Sequence, residues 1–273
     1  MTVLDDVPVF PDATREIGPA TAVRPAAVPG NPHAAVASAR GLRRVGADAA
    51  VIGRSSAGTA VAVADGIGDT RAAARAARIA ADAAVRAAPG RGTRAALSAA
   101  RDAVLADPDA GDTVLVTAAG LPGGGWTVSW VGDCRALLWD GSELRSLTRD
   151  HTMAEELRAQ GVTAGRSWEN VVTTTVRTAD PWTAGHVWGP PGPGTLLLLT
   201  DGVHRVLPPQ RLADVLSAAD DGGFPAGVTA RALVADALDS GGQDNATVAL
   251  LALPDPWTGP RGTTVRLPTQ RTA

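Results

Sequence analysis

The order of helix-like and strand-like segments predicts an α+β fold, in which groups of helices pack against antiparallel sheets. Strands come first, two consecutive helices follow, and a block of strands precedes further helices and a closing strand. This segregation argues against a repeated βαβ unit with a parallel sheet. With no internal repeat or linker, we expect one domain over residues 36–253, between a flexible proline- and alanine-rich leader at 1–35 and a loose tail at 254–273.

The first half of the predicted domain combines a hairpin with two helices. Residues 35–52 suit a β-hairpin. Residues 69–88 carry charged residues three or four positions apart on an alanine-rich background, which predicts a helix with one solvated face; they are Arg71, Arg75, Arg78, Asp82 and Arg86. Pro89-Gly90 ends that helix. A second helix is predicted from Thr93, acting as its N-cap, to Ala106.

The second half begins with short strands. Four runs of β-type residues, separated by glycine-rich turns, predict an antiparallel meander at 113–119, 127–131, 135–139 and 145–147. Thr152-Met153-Ala154-Glu155 has the form of a capping box and opens a helix that Gly161 ends. The remaining predicted elements are strands at 171–176, 184–188, 195–199 and 246–253 and helices at 210–219 and 228–239.

Composition excludes several classes of protein. A net charge of −3 gives no general attraction to nucleic acid. No apolar run is long enough to cross a bilayer, and the first residues lack the plan of a signal peptide, so we expect a cytoplasmic protein without a membrane span. The chain contains no lysine, which excludes a P-loop, a protein-kinase site and Schiff-base chemistry. The lone Cys134 lacks an arginine six positions later, which excludes a cysteine-dependent phosphatase.

Four aspartates stand where an apolar run meets glycine or a polar turn. They are Asp65, Asp133, Asp201 and Asp244. For any one of them, a turn or cap is the commoner role. Neighbouring strands can nevertheless bring such positions together, and gathered carboxylates then need a counter-charge. Because the ligands on offer are oxygens, Mg²⁺ or Mn²⁺ fits better than Zn²⁺, and a pair of such ions suits phosphoester hydrolysis.

Six segments occur in a fixed order along the predicted domain. They are Arg43 to Asp48, Ala64 to Gly68, Val131 to Arg135, Leu147 to Thr152, Leu199 to Val203 and Gly242 to Val248. In that order they resemble the motifs Arg-x₄-Asp, Asp-Gly-x-Gly, Gly-Asp-Ser-Arg, Leu-Thr-x-Asp-His-Ser, Ser-Asp-Gly-Leu and Gly-x-Asp-Asn-x-Thr-Val. These are motifs of the metal-dependent protein phosphatase family (PPM, type 2C), and the chain resembles its bacterial members.

The resemblance implies a four-layer αββα fold, with two antiparallel sheets in a sandwich flanked by antiparallel helices. Two Mn²⁺ or Mg²⁺ ions would lie at one end of the sandwich. Asp65 would bridge the ions, the carbonyl of Gly66 would bind one, and Asp201 and Asp244 would hold the other. Asp65, Asp201 and Asp244 would thereby act in catalysis through a bridging metal-bound water.

The resemblance also implies roles for three further residues. Asp48 would belong to the metal site or lie just behind its ligands, and Asp133 would serve a weaker third metal site. Arg43 would bind the substrate phosphate, for which a guanidinium fork is well suited.

The function implied is a protein serine/threonine phosphatase that acts in signalling. Its partners would be phosphorylated proteins, substrates of a serine/threonine kinase in the same cell. Two departures from the family pattern, at Gly46-Ala47 and at Thr173 to Arg177, support an alternative. That alternative is a catalytically weak or inactive phosphatase-like module that acts by binding a signalling partner.

Overall fold

The structure, a computed structural model, describes residues 14–17, 34–180 and 182–253. The strands are β1 (Thr14–Ile17), β2 (Ala34–Ala39), β3 (Asp48–Ser55), β4 (Gly58–Gly66), β5 (Thr113–Gly120), β6 (Trp126–Val131), β7 (Arg135–Trp139), β8 (Leu144–Ser146), β9 (Gly185–Gly189), β10 (Gly194–Leu199) and β11 (Ala246–Leu253). The helices are α1 (Arg71–Leu105), α2 (Met153–Ala159), α3 (Asp201–His204), α4 (Pro209–Gly222) and α5 (Ala226–Asp239), and a 3₁₀ turn covers Arg166–Asn170.

The strands form two sheets. One has the order β1-β3-β4-β5-β6-β9 and the other the order β2-β11-β10-β7-β8. Neighbouring strands pair antiparallel, except that β1 runs parallel to β3 at the edge of the first sheet. The predicted α+β class with two antiparallel sheets is therefore confirmed, and the parallel edge strand is an addition to it.

The two sheets pack face to face, and helices cover their outer faces. Side chains from both sheets, including Val61, Val116, Leu196 and Leu198, form one buried apolar layer. The helix α1 packs on the outer face of the first sheet, whereas α4 and α5 pack on the second. Each apolar face is thereby removed from water, which is the main favourable term in folding. The result is the four-layer αββα arrangement.

The long element α1 contains the break that the sequence predicts. Pro89, Gly90 and Gly92 have backbone angles outside the helical range, and Gly90 has a positive φ of 78°. Proline lacks the backbone N–H that helix continuation requires, and glycine adopts positive φ without steric cost. Two helical segments therefore meet at this kink, close to the predicted boundaries.

The predicted hairpin at 35–52 is wrong. β2 pairs with β11 of the second sheet, where Ala39 faces Ala246, whereas β3 pairs with β4 of the first sheet. Residues 40–47 thus cross from one sheet to the other. This connection is held by the side chain of Asn245, which donates to the carbonyls of Arg40 and Val45.

The predicted strand at 171–176 is also wrong. Only Val172 makes a bridge, with Thr152. Thr175 instead starts a turn, accepting from the backbone N–H of Thr178 and donating its hydroxyl to Asp112 at 2.6 Å. Threonine hydroxyls that bond locally compete with ladder pairing, although the residue type itself favours strands.

Much of the leader and all of the tail lie outside the described residues. This applies to the expected extended piece near Val7 to Phe10 and to residues 254–273. The proposed domain limits therefore stay a prediction. Within the part of the chain that is described, no helix combines the length and apolar character needed to cross a bilayer.

Candidate active site

A cavity of about 270 Å³ lies at the end of the sandwich where several strand ends meet. Asp65 is at the end of β4, Asp133 lies in the turn between β6 and β7, Asp201 follows β10, and Asp244 precedes β11. All four aspartates line this cavity, together with the predicted residues Arg43 and Gly66. The structure therefore brings together acids that the sequence spreads over most of the domain.

Strand pairing explains the meeting of Asp201 and Asp244. β10 and β11 are antiparallel neighbours, and the ladder continues beyond β10 because the N–H of Thr200 donates to the carbonyl of Thr247 at 3.1 Å. Gly202 packs so closely on the backbone of Asn245 that no Cβ fits between them. A side chain at position 202 would therefore force the two loops, and their carboxylates, apart.

Asp48 is placed behind the cavity. It is the first residue of β3, faces Asp65 in the register of β3 and β4, and is 4% exposed. Thr200 donates its hydroxyl to Oδ2 of Asp48 at 2.9 Å, while Oδ1 is buried without a hydrogen-bond partner among the described residues. Asp48 does not line the cavity but lies behind it, which is the second of the two positions that the resemblance implies, and its role toward a metal stays a prediction.

The pKa values of these acids are raised by burial and by mutual repulsion. Burial raises the pKa of Asp48 to about 7, and the charge of Asp201 adds to this. Burial and then the charge of Asp48 raise the pKa of Asp65 well above its ordinary value. Burial also raises the pKa of Asp201, against the opposing effect of Arg205. Gathered carboxylates of this kind favour bound cations.

Arg43 lies at the mouth of the cavity on the loop that connects the two sheets. Its Nη2 contacts Oδ2 of Asp244 at 2.6 Å, and 47% of its side chain is exposed. The hydrogen bond to Asp244 raises the pKa of Arg43. A cationic fork with free surface beside an acidic cavity suits an anionic group of a ligand.

Two residues that the motif analysis did not interpret hold the Arg43 loop in place. Oδ1 of Asp69 accepts the N–H of Val45 at 2.8 Å, and Oδ2 accepts the N–H of Arg44. These two hydrogen bonds lower the pKa of Asp69. Oδ1 of Asn245 accepts the N–H of Ala47 at 2.7 Å. The carboxylate of Asp69 thus accepts backbone N–H groups of this loop, as aspartate side chains do in caps and turns.

Arg205 is the most consequential residue that sequence reasoning missed. Its Nη2 lies 2.7 Å from Oδ2 of Asp133, and its Nη1 lies 2.8 Å from Oδ2 of Asp201. The i,i+4 spacing of Asp201 and Arg205 on a helical turn is the signal that was available. Burial and the charge of Asp201 raise the pKa of Asp133 to about 6, with Arg205 opposing.

The expectation that Asp133 serves a third metal ion does not fit this arrangement. Its carboxylate is 6% exposed, and the oxygen Oδ2 is taken by the guanidinium of Arg205. A divalent ion at Asp133 would have to displace a bound cation of the chain itself. The positive charge needed beside Asp133 is already supplied.

The donor set does fit a pair of divalent ions. Asp65, Asp201 and Asp244 offer carboxylate oxygens to one cavity, and their like charges leave a demand for positive charge. Within the described residues, however, no three acid, histidine or cysteine side chains already converge on one point. Two of these carboxylates are paired with arginines instead, Asp244 with Arg43 and Asp201 with Arg205.

Neither His204 nor Cys134 contributes a reactive group to the cavity. The Nε2 atom of His204 donates to the carbonyl of Asp133 at 2.9 Å, and burial lowers the pKa of this histidine to about 3. Cys134 is buried, and burial raises the pKa of its thiol well above the ordinary value. A neutral thiol in the core packs as a small apolar side chain.

No protein-family model and no curated protein matches the sequence. Solved structures do match. The PPM Ser-Thr phosphatase MsPP from Mycobacterium smegmatis, in complex with cacodylate, is 26% identical, with a TM-score of 0.63 over 81% of this chain and 98% of that one. The S. agalactiae serine/threonine phosphatase is 20% identical, with a TM-score of 0.69 over 81% and 98%.

A third match carries metal. The catalytic domain of the serine threonine protein phosphatase PstP, in complex with two manganese ions, is 22% identical, with a TM-score of 0.64 over 82% of this chain and 99% of that one. The chain therefore has the fold of the PPM-type serine/threonine phosphatases, as its motifs indicate.

Proposed function

We propose that this chain is a metal-dependent phosphatase that hydrolyses phosphoserine and phosphothreonine monoesters in proteins. The observation that carries the proposal is the convergence of Asp65, Asp201 and Asp244, from both sheets, on one cavity beside Arg43. Fold alone does not establish an activity, so the proposal rests on these side chains and their charges. The neighbouring structures support the choice of substrate class.

The acidic side chains would hold two Mn²⁺ or Mg²⁺ ions. Asp65 would supply a carboxylate from the first sheet, the carbonyl of Gly66 would add a neutral oxygen, and Asp201 and Asp244 would supply carboxylates beside strands of the second sheet. Gly66 is fixed for this task because its N–H donates to the carbonyl of Ala47 at 3.0 Å. Bound ions would supply Lewis acidity and lower the pKa of a water that attacks phosphorus.

Arg43 would bind and orient the phosphoryl group. In the structure its guanidinium is paired with Asp244. With Asp244 engaged in holding a metal ion, the guanidinium of Arg43 would be free to donate to two phosphate oxygens, which is a geometry that guanidinium groups favour. Substrate binding is thereby expected to depend on cation binding at the neighbouring carboxylate.

The partners would be phosphorylated proteins, modified by a serine/threonine kinase in the same bacterial cytoplasm. The cavity is open to solvent on the side of Ile67, which lines it and is 46% exposed. An apolar rim beside a charged centre suits a peptide that presents one phosphorylated residue.

The test is hydrolysis of a phosphothreonine peptide by the purified chain, with and without Mn²⁺. We expect Mn²⁺-stimulated release of phosphate, and a loss of at least about 100-fold in Asp201→Asn, since even the supporting partners of metal ligands cost 10–100-fold. Asp214→Asn is the matched control, because Asp214 is exposed on α4 and outside the cavity. Equal activity of Asp201→Asn and the parent would contradict the proposal.

A calorimetric Mn²⁺ titration of the same samples distinguishes an active phosphatase from the alternative, an inactive phosphatase-like module. Tight metal binding without turnover would favour a phosphatase-like binding module. Absence of binding and of turnover would contradict both the enzymatic proposal and the assignment of ions to this cavity.

A further inference from the structure

Arg205 stands between two buried carboxylates at the floor of the cavity. The side chain of Asp133 is 6% exposed and that of Asp201 is 16% exposed, while that of Arg205 is 32% exposed. Each carboxylate receives a different guanidinium nitrogen, at 2.7 and 2.8 Å. A forked cation in this position neutralises both acids at once, which a point charge on a flexible stem does less well.

The same guanidinium also reaches the segment at the rim of the cavity. Its Nη2 donates to the carbonyl of Glu169 at 3.0 Å, and its Nη1 bonds to Oδ1 of Asn170. Asn170 and Val172 line the cavity. Arg205 therefore joins the acidic floor to the end of the 3₁₀ turn through a single side chain.

Other contacts also hold this rim segment: the side chain of Arg158 pairs with that of Glu169, and Val172 packs against the apolar layer between the sheets. Val172 makes an isolated bridge with Thr152, and the N–H of Thr173 donates to the carbonyl of His151. Trp168 within the turn is 45% exposed. Among these contacts, the bonds from Arg205 are the ones that join the end of the turn to the acidic residues of the cavity, so their loss should loosen this end.

We propose that Arg205 is a positioning residue with two tasks: it supplies from the chain itself the positive charge beside Asp133, in place of a third divalent ion, and it fastens the rim segment at Glu169 and Asn170 over the site. The first task rests on the proposed function, because it concerns the number of ions bound. The second does not, because it concerns contacts of the metal-free chain.

The first test counts bound Mn²⁺ by native mass spectrometry and calorimetry. We expect two ions in the parent and one additional, weaker ion in Arg205→Gln, where Asp133 and Asp201 lose their cation. Arg205→Lys, which keeps the charge, should bind two. The double variant Arg205→Gln/Asp133→Asn should lose the additional ion again, which would locate it at Asp133.

Arg211→Gln is the matched control. Arg211 also forms a bidentate pair, with Asp236 at 2.6 Å, but that pair lies on the helices of the second sheet outside the cavity. This variant removes the same chemical group and should keep the parent count. Circular dichroism of each variant verifies folding. If Arg205→Gln does not fold, Arg205→Met, which keeps an unbranched chain without the charge, provides the ion count.

The second test is hydrogen exchange of the metal-free proteins. Peptides covering residues 166–173 should exchange faster in Arg205→Gln and in Arg205→Lys than in the parent, because neither side chain reproduces the fork that reaches Glu169 and Asn170. The rate should be unchanged in Arg211→Gln. Unchanged exchange in both Arg205 variants would overturn the fastening task.

The outcomes separate this inference from the proposed function. A parent that binds three ions, or an Arg205→Gln variant that binds only two, would overturn the charge-supplying task while leaving the two-ion enzyme intact. A parent that binds no Mn²⁺ would overturn the proposed function and the charge-supplying task together. The exchange measurement would then decide the fastening task alone.

Discussion

Asp48 illustrates how a single residue can support a site at a cost to stability. It is buried behind the cavity, keeps one carboxylate oxygen without a hydrogen-bond partner among the described residues, and has a pKa raised to about 7 by burial. A group whose folded pKa exceeds its unfolded pKa stabilises the fold at low pH and loses that contribution as pH rises through the folded value. The ionised form of Asp48 is therefore disfavoured in the metal-free chain.

Asp48→Asn should make the metal-free chain more stable than the parent at pH 8. Asparagine cannot ionise, so the variant escapes the loss that the parent suffers as pH rises. Between pH 5 and pH 8 the advantage of the variant should grow by roughly 2 kcal/mol, since each pKa unit corresponds to about 1.4 kcal/mol. Urea unfolding at both pH values, with chelator present, measures this difference.

Asp214→Asn serves as the control for this measurement, because Asp214 is exposed. It tests whether the loss of one surface aspartate is by itself enough to produce the difference. A pH-independent difference for Asp48→Asn would show that the carboxyl of Asp48 is not the group that titrates.

At the scale of elements, small residues let α1 approach the first sheet closely. Ala76, Ala77, Ala80 and Ala84 on α1 are fully buried. On the facing strand β3, a Cβ at Gly53 would lie 2.5 Å from the carbonyl oxygen of Val85. The neighbour is backbone, which cannot move aside as the tip of a side chain can, so the contact requires glycine.

Gly53→Ala should therefore destabilise the chain by about 1–3 kcal/mol, the usual cost of overpacking a core. Gly192→Ala is the control, because nothing lies within 4 Å of a Cβ at that position. Thermal and urea unfolding of the two variants provide the comparison. If both variants unfold like the parent, the close helix–sheet contact does not constrain the fold.

At the scale of the whole molecule, the acidic cavity couples the two sheets. Asp65 belongs to the first sheet, whereas Asp201 and Asp244 adjoin strands of the second. Burial and like-charge repulsion oppose ionisation of Asp65 and Asp201. A divalent ion that binds all three would relieve this repulsion and tie the sheets together, so metal binding should stabilise the complete domain.

Saturating Mn²⁺ should raise the Tm of the parent by about 5–10 °C. Ligand at 100 times its Kd stabilises a domain by about 2.7 kcal/mol, and 1 kcal/mol shifts the Tm of a domain of this size by about 2–4 °C. Differential scanning calorimetry measures the shift, and excess EDTA should reverse it. Asp214→Asn should respond like the parent, while a full shift in Asp201→Asn would contradict binding at this cavity.

Because element types follow from local patterns, the sequence determined most of them, though not that of residues 171–176. Helix and strand periods, the Pro89-Gly90 break and the Thr152 cap depend on residues close in the chain. It also determined which acids meet, since an aspartate at each strand end followed by glycine marks a common edge once strands pair. The ordered motifs then indicated the phosphatase fold, which the neighbouring structures confirm.

Only the tertiary structure decided which sheet each strand joins and which charges pair. β2 is adjacent in sequence to β3 but pairs with β11, some two hundred residues away, where its side chains join the apolar layers on both faces of the second sheet. Arg205 has an i,i+4 partner visible in the sequence, yet its bond to Asp133 depends on the turn between β6 and β7. The Coulomb energy between two charges depends on their distance in space and not on their separation along the chain. Which charges neutralise each other in this site is therefore known only from the tertiary structure.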